Sequence, residues 1–491
     1  MSKAIVSTKG HLIDIHCKHK GGVIVASDDL KSVYDCTLNQ TNITNNNNKF
    51  YIMQVIQLGP KFCVYIRYGR IGETGVINYK DYSNKSSAIT FFTNQFRAKT
   101  GNNWNDRENF EKKNGKYFMT EIECAEISAE LSDSEESEPE IDLDPRVVNF
   151  LTMITDTTYM KNTLMQLEID TEKMPLGKIS QTQIDKAYEI LNRINKSLED
   201  HDHSELANLS SEFYTLIPYA CGRQAPPVIN SKKLIGKNVN LLNELSQMVF
   251  GTCIVTKFKN NNNNLLKTYN SLNTTIVPLD KSDEMYKILA LYLKNSKAPT
   301  HDFDYKIMEI FEIDRIGEKD LYDAFSKKIS NKTLLFHGTR VSNMVGILTT
   351  GLLCDPSKLG INVSITGKMF GLGLYWSDSA SKSIQYCAYD SSDNIACLFI
   401  GEIALGKMYK KKQAACTLTA KTLPKPYNST WGIGRSSYKE YDEYDDGTRI
   451  PSGKLQKISA NSDSSLLYDE FIVYHEEQIN LRYIIKLKVL D

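Results

Sequence analysis

A chain of 491 residues is long enough for roughly three or four domains of ordinary size and can bury a large core. Lys plus Arg number 59 and Asp plus Glu number 59, so no global charge draws the chain to nucleic acid or to a membrane, and any such surface must be local. The ten cysteines form no Cys-x-x-Cys pair, which argues against zinc fingers and a disulfide framework and fits a reducing compartment. No apolar run approaches the length of a membrane span, and the first thirty residues are interrupted by Lys, His and Asp. The expectation is a soluble intracellular protein with no metal centre and no membrane partner.

Residues 1–31 carry short apolar runs and small basic clusters such as Lys18-His19-Lys20, and read as an N-terminal arm. A flexible basic arm and a tail without a role fit equally well. From residue 32 to 122 the pattern becomes a small mixed domain. Tyr51 to Ile56 and Phe62 to Tyr68 read as strands, and Ser86 to Phe96 as a helix. Within it, Arg67-Tyr68-Gly69-Arg70-Ile71-Gly72, with Leu38-Asn39-Gln40-Thr41-Asn42 before it and Lys99-Thr100-Gly101-Asn102-Asn103-Trp104 after it, resembles the WGR domain of DNA-dependent poly(ADP-ribose) polymerases. The tryptophan that names that domain is Tyr68 here, so an aromatic face is kept. Between Lys49 and Glu123 there are 12 Lys and Arg against 7 Asp and Glu, a local excess that suits a phosphate backbone or simply a solvated surface. The resemblance implies DNA contact, with Asn48, Lys49, Tyr68 and Arg70 as the expected contacts. The short N-terminus resembles the type that senses strand breaks with a 5′-phosphate and has no zinc fingers.

Residues 123–144 hold ten acidic side chains and no basic ones, a composition that cannot bury enough apolar area to fold and reads as a linker. Glu and Ser are acceptor types in the family, so the same stretch is an expected target of automodification. From 145 to 272 helical periodicity dominates, with Val147, Val148, Leu151 and Ile154, then Ile184, Tyr188, Leu191 and Ile194, on single faces. By itself this pattern makes a helical bundle. Glu168-Ile169-Asp170, Lys173-Met174-Pro175-Leu176-Gly177-Lys178 and Phe213-Tyr214-Thr215-Leu216-Ile217-Pro218 resemble the family's helical regulatory domain, which covers the NAD pocket until DNA loosens it. Asparagine runs at 45–48 and 260–264 read as loop insertions.

Residues 276–491 form the last domain, opening with a strand from Ile276, a helix over Glu284 to Lys294 and a further stretch over Phe303 to Ile313. Leu334-Leu335-Phe336-His337-Gly338-Thr339 reads as a strand that breaks at Gly338, where the missing Cβ lets a ligand approach the backbone. Phe370-Gly371-Leu372-Gly373-Leu374-Tyr375-Trp376-Ser377-Asp378 reads as a tight turn beside a strand, followed by Ser381-Lys382-Ser383 and Tyr386. Far downstream, Glu470 interrupts the apolar strand Leu466 to Tyr474, where an unpaired carboxylate is costly to bury. An edge strand protected by a charge is the plain alternative. Tyr409-Lys410-Lys411-Lys412 reads as a solvated face in preference to a localisation signal.

In this order the pieces resemble the catalytic domain of poly(ADP-ribose) polymerases, diphtheria-toxin-like ADP-ribosyltransferases with a His-Tyr-Glu triad. The resemblance implies a multidomain α+β chain: a small mixed WGR domain, an all-α regulatory bundle and a mainly antiparallel β catalytic domain. It implies NAD as substrate, with His337 on the adenosine ribose, Gly338 and Ser383 gripping the carboxamide, and Thr339 among the NAD contacts. It further implies Tyr375 and Tyr386 sandwiching the nicotinamide ring. Glu470 would stabilise the oxocarbenium-like charge that develops as the glycosidic bond breaks. A glutamate at that position favours polymer synthesis on protein acceptors, the enzyme itself included. Leu372 stands where relatives often carry a lysine and Leu353 where some carry an arginine, which predicts fewer charges around NAD. The expected setting is DNA repair in the nucleus, although cytoplasmic DNA metabolism fits the same residues, and an accessory factor that completes the active site is compatible with them. Transfer of single ADP-ribose units and a catalytically silent DNA-end scaffold are the alternatives.

Overall fold

The computed structural model describes residues 13–14, 16–27, 33–120, 143–167, 169, 180–258, 264–354, 368–389, 393–444 and 447–490. The acidic linker at 121–142, the Lys173 to Lys178 motif and the second asparagine run at 260–263 lie outside them. The described residues fall into two compact units, within Met1–Ser134 plus Leu164–Ile235 and within Glu135–Thr163 plus Gly236–Asp491.

In the first unit an antiparallel sheet runs in the order Val76–Tyr82, Lys61–Arg70, Asn47–Leu58, Asp35–Asn42, Phe118–Thr120. One face takes the helix Lys85–Thr100, whose Ala88, Phe92 and Phe96 recur at helical spacing and meet Leu38, Met53, Val64 and Trp104. Asn84 caps that helix by accepting from the Ser87 N–H at 2.9 Å. The other face buries Cys17, Phe50, Ile52, Ile56, Tyr65 and Ile71.

Cys17 marks a departure from the expected N-terminal arm. Residues 13–14 and 16–27 are built into the sheet domain: Val23–Ile24 pairs with Gln57 and Ile56, and Asp14 meets the fully buried Arg67 at 2.8 Å. The guanidinium needs that carboxylate, because an ionised group inside the sheet is tolerated only when paired. Burial raises the Asp14 pKa, but the Arg67 hydrogen bonds outweigh it and hold the carboxyl below its usual range.

Helices Gln181–Glu199 and Leu206–Leu216 complete this unit. Ser180 opens the first with a reciprocal capping box to Gln183, and the buried stripe Ile184, Ala187, Tyr188, Leu191 and Ile194 follows the expected periodicity. Leu206–Leu216 lies against the sheet, where Thr41 N–H donates to Thr215 Oγ1 and Ile43 N–H to Ser211 Oγ, each at 3.0 Å.

The second unit is organised by a seven-stranded sheet: Glu440–Glu443, Thr448–Ser452, Lys332–Thr339, Ile395–Ala404, Ile479–Leu490, Asp304–Arg315, Thr274–Pro278. It is antiparallel except where Thr448–Ser452 meets Lys332–Thr339. A four-stranded sheet runs Leu374–Trp376, Glu470–Val473, Ser429–Gly432, Met408–Lys411. The two sheets are tied by reciprocal backbone bonds between Phe336 and Ser377, at 2.8 and 3.0 Å. Leu334, Phe336, Leu398, Ile400, Ile485 and Leu487 form the central core with Leu289 and Tyr292 of the helix Glu284–Asn295. No helix among the described residues is long and apolar enough to cross a membrane.

The buried ion pair gives a stability test for the N-terminal segment. Asp14→Ala leaves Arg67 buried without its carboxylate and should cost this unit about 3–5 kcal/mol in denaturant unfolding. In the parent the contribution of Asp14 should be present above pH ~4 and lost as pH falls further, the sign required by a depressed carboxylate pKa. A loss below about 1 kcal/mol, the range of an exposed pair, would show that the pair does not anchor the segment.

Candidate active site

The strand Lys332–Thr339 does not break at Gly338, as the sequence suggested. It pairs through Thr339, with His337 opposite Phe399, Gly338 opposite Leu398 and Thr339 opposite Cys397. Glycine is required there for a different reason. A Cβ at Gly338 would collide with the Ser383 carbonyl oxygen, so the helix Ala380–Gln385 can press on the strand only over a bare Cα. Ser379 caps that short helix through its hydroxyl, and Ser383 Oγ reaches the Phe336 carbonyl at 3.4 Å. Gly371 is constrained in a similar way: φ is +79°, and a Cβ would meet the Leu418 carbonyl.

His337 Nδ1 lies 2.9 Å from the Tyr375 carbonyl oxygen. Burial lowers the imidazole pKa to about 4, overriding that bond, so the ring is neutral near pH 7. A neutral ring that donates from Nδ1 leaves Nε2 as an acceptor for a ligand hydroxyl. Tyr375 is fixed at its other end, accepting from the Phe370 N–H at 2.9 Å and donating to the Gly371 carbonyl at 3.0 Å. Lys368 Nζ stands 5.3 Å over its ring. Tyr386 is largely exposed, at 63%. Thr339 is buried and its Oγ1 accepts from Asn343 Nδ2 at 3.1 Å, while the same amide reaches Glu244 at 2.7 Å. Leu372 is buried with its N–H on the Leu418 carbonyl, so this position packs the turn and offers no charge.

Glu470 lies in an interior strand, flanked by Leu374–Trp376 on one side and Ser429–Gly432 on the other. The edge-strand explanation therefore does not hold. Its carboxylate is met by Lys382, with Nζ 2.8 Å from Oε1 and both side chains nearly buried. The same ammonium donates to the carbonyls of Tyr468 at 3.1 Å and Asp469 at 3.3 Å, so all three of its N–H groups have acceptors. Lys382 received no role from the sequence. The signal was present, because a glutamate in an apolar strand needs a cation and Lys382 is the one Lys or Arg between Phe370 and Tyr386.

Two more carboxyls lie behind this pair. Asp469 accepts from the Gly434 N–H at 2.6 Å and Ser437 Oγ at 2.5 Å, yet burial raises its pKa to about 6. Asp378 is fully buried, and neither of its side-chain oxygens has a hydrogen-bond partner among the described residues. Burial, reinforced by the charge of Asp469 and opposed by Lys382, lifts its pKa well above the carboxylate range. Burial without a hydrogen-bond partner thus favours the neutral acid at Asp378. No group of three or more His, Cys, Asp or Glu among the described residues is placed to hold a metal ion.

The four residues expected at DNA separate into two pairs. Lys49 and Tyr68 are exposed, and Tyr68 stacks on Tyr51 at 5.7 Å between ring centres. Asn48 is completely buried, its amide donating to the Tyr219 carbonyl at 3.0 Å, so no face of its side chain is left for DNA. Arg70 is committed to carbonyls at Gly222, Gln224 and Asn46, at 2.6, 2.5 and 2.9 Å. Within the first unit, these two residues join the sheet to the segment after the helix Leu206–Leu216.

Comparison with known proteins agrees with the fold. Residues 282–489 match the poly(ADP-ribose) polymerase catalytic domain, residues 141–274 the poly(ADP-ribose) polymerase regulatory domain and residues 34–111 the WGR domain. Residues 282–489 are thus an ADP-ribosyltransferase domain, of a kind that uses NAD as its substrate. The chain belongs to the poly(ADP-ribose) polymerase family. It is 33% identical to poly [ADP-ribose] polymerase 2 of Homo sapiens over 492 aligned residues, covering 97% of this chain and 83% of that one. It is 34% identical to poly [ADP-ribose] polymerase 2 of Arabidopsis thaliana, over 95% of this chain and 74% of that one. With poly [ADP-ribose] polymerase 1 of Gallus gallus the identity is also 34%, over 96% of this chain but only 46% of that longer one.

Asp378 supplies a test with a definite sign. A carboxyl whose pKa is raised by folding stabilises the fold below its unfolded value, about 3.9, and that contribution is lost as pH rises. Asp378→Asn keeps the shape and stays neutral, so its melting temperature should exceed the parent's at pH 7 and above, with the gap closing toward pH 4. A gap that is constant across this range would contradict a neutral Asp378.

Proposed function

We propose that the protein is a DNA-break-activated poly(ADP-ribose) polymerase. It transfers ADP-ribose from NAD to protein acceptors, itself included, extends the chain and releases nicotinamide. The observation that carries this reading is the Glu470 carboxylate, fixed at 2.8 Å by Lys382 in an interior strand. A carboxylate that cannot turn away is suited to stabilising the positive charge spread over the ribose as its bond to nicotinamide breaks. The same carboxylate can accept a hydrogen bond from the hydroxyl of an incoming ribose, which is why the reading extends to polymer.

In this reading His337 accepts a ribose hydroxyl at Nε2 while its other nitrogen is tied to Tyr375. Gly338 and Ser383 grip the carboxamide, Thr339 is a further NAD contact, and Tyr375 and Tyr386 take the two faces of the departing ring. Tyr375 is preset by its two backbone bonds, whereas Tyr386 is exposed and free to close over a ligand. Lys368 stands over the Tyr375 ring, where burial lowers its pKa and disfavours its charged form.

Lys49 and Tyr68 are the side chains of the WGR sheet we assign to a broken DNA end with a 5′-phosphate. Arg70 and Asn48 are assigned to transmission, because their bonds to residues 219–224 tie the sheet to the helical segment. A nuclear role in DNA repair follows from that partner.

Glu470→Gln should lower nicotinamide release from NAD about 100- to 1,000-fold, the scale for removing one electrostatic stabiliser; release at the parental rate would defeat the assignment. With NAD and nicked duplex the parent should give a ladder of products, and one discrete shift would reduce the activity to single-unit transfer. Arg70→Ala should keep the DNA-free rate while the stimulation by 5′-phosphorylated breaks falls to near onefold. Full stimulation would remove Arg70 from the route.

A further inference from the structure

Between Ile403 and Lys439 the chain carries eight Lys and Arg and no Asp or Glu. In a chain with balanced charge overall, this is a stretch of concentrated positive charge, and its place in the fold is informative. Met408–Lys411 is the outer strand of the four-stranded sheet, two strands from Glu470. Lys411 is in register with Gly432, which is in register with Glu470, so the edge lies about 10 Å from the catalytic strand at the spacing of a β-sheet.

The lysines alternate with rings. Lys407 Nζ stands 5.5 Å over Tyr427, Tyr427 and Tyr409 are 5.0 Å apart, and Lys411 stands 5.3 Å over Tyr409. On the opposite face Lys410 covers Trp431 at 4.9 Å. Lys412 differs, being held by Asp463 at 2.8 Å and the Ala460 carbonyl at 2.7 Å. Lys407, Lys410 and Lys411 have no carboxylate partner among the described residues. Lysines on an edge strand also deter unwanted strand pairing, but that role needs neither the rings nor a stretch empty of acidic residues.

Cations interleaved with rings suit a flexible strand that carries phosphates and open base faces. An acidic peptide supplies no bases, and a duplex hides the faces of its bases inside the stack. We infer that the Lys407–Lys411 edge binds the ADP-ribose chain already attached to an acceptor, its pyrophosphates on the lysines and its adenines against Tyr409 and Tyr427. This assignment rests on the polymer-forming reading of the site. Its location two strands from Glu470 would keep a growing product near the carboxylate that extends it.

The test measures binding of preformed, labelled ADP-ribose chain by the full-length protein, using fluorescence anisotropy at several salt concentrations. Replacing Lys407, Lys410 and Lys411 together by Ser should weaken binding about tenfold or more and flatten the log–log salt slope by about 2, from three contacts at ~0.7 each. Replacing the same three by Arg should keep the affinity. Parental affinity in the Ser variant would overturn the inference, and so would equal loss in the Arg variant, which would mean damaged packing. Displacement of the chain by a single-stranded DNA of equal phosphate count at the same concentration would overturn the choice of occupant. If the Ser variant loses the chain while the parent forms only single-unit products from NAD, the polymerase reading fails and the binding surface stands.

Discussion

One buried ion pair sets the conditions for the catalytic unit. Glu470 interrupts an interior strand whose neighbours are apolar, and such a carboxylate is tolerable only with a cation at hydrogen-bond distance. Lys382 is that cation, and it can reach only because the helix Ala380–Gln385 lies directly on the strand Lys332–Thr339. That contact in turn demands Gly338. The reciprocal backbone bonds between Phe336 and Ser377 then fix the spacing of the two sheets, which brings His337 onto the Tyr375 carbonyl. Histidine, tyrosine, glycine and glutamate are thus consequences of one packing solution.

The first unit follows a similar logic with a different charge. Arg67 is wholly buried, and Asp14 makes that burial tolerable. Three residues further along the same strand, Arg70 turns outward and spends its guanidinium on backbone carbonyls at residues 222 and 224. Strand alternation allows this division, since residues 67 and 70 face opposite sides of the sheet. One arginine holds the domain together, and the other ties it to the helical segment.

Much of this was legible in the sequence, and the gaps have physical causes. Apolar periodicity located the helices through Phe92, Leu151, Tyr188 and Leu289 and the strands through Met53, Val64, Ile276, Phe336 and Ile472, and the paired motifs around His337 and Glu470 pointed to the family with specificity. Contacts made by an aliphatic stem and a single terminal charge left no periodic trace, so Lys382 went unassigned although its partner was noticed. Asp14 was hidden for a related reason: residues 13–27 have too little strand pattern to be read as part of a sheet, and only the need of Arg67 for a carboxylate reveals their place. Asn48 and Arg70 were read as surface residues because a WGR-like motif suggests contact with DNA. Burial and carbonyl partners are properties of the folded chain, and neither is visible in residue type.

The central claim is that Lys382 acts through Glu470, and a double-mutant cycle in single-turnover nicotinamide release tests it directly. If the lysine serves to hold that carboxylate, Lys382→Met combined with Glu470→Gln should be no slower than Glu470→Gln alone, leaving a large coupling energy. Losses that multiply, each substitution slowing the reaction by its own factor in the presence of the other, would contradict the account.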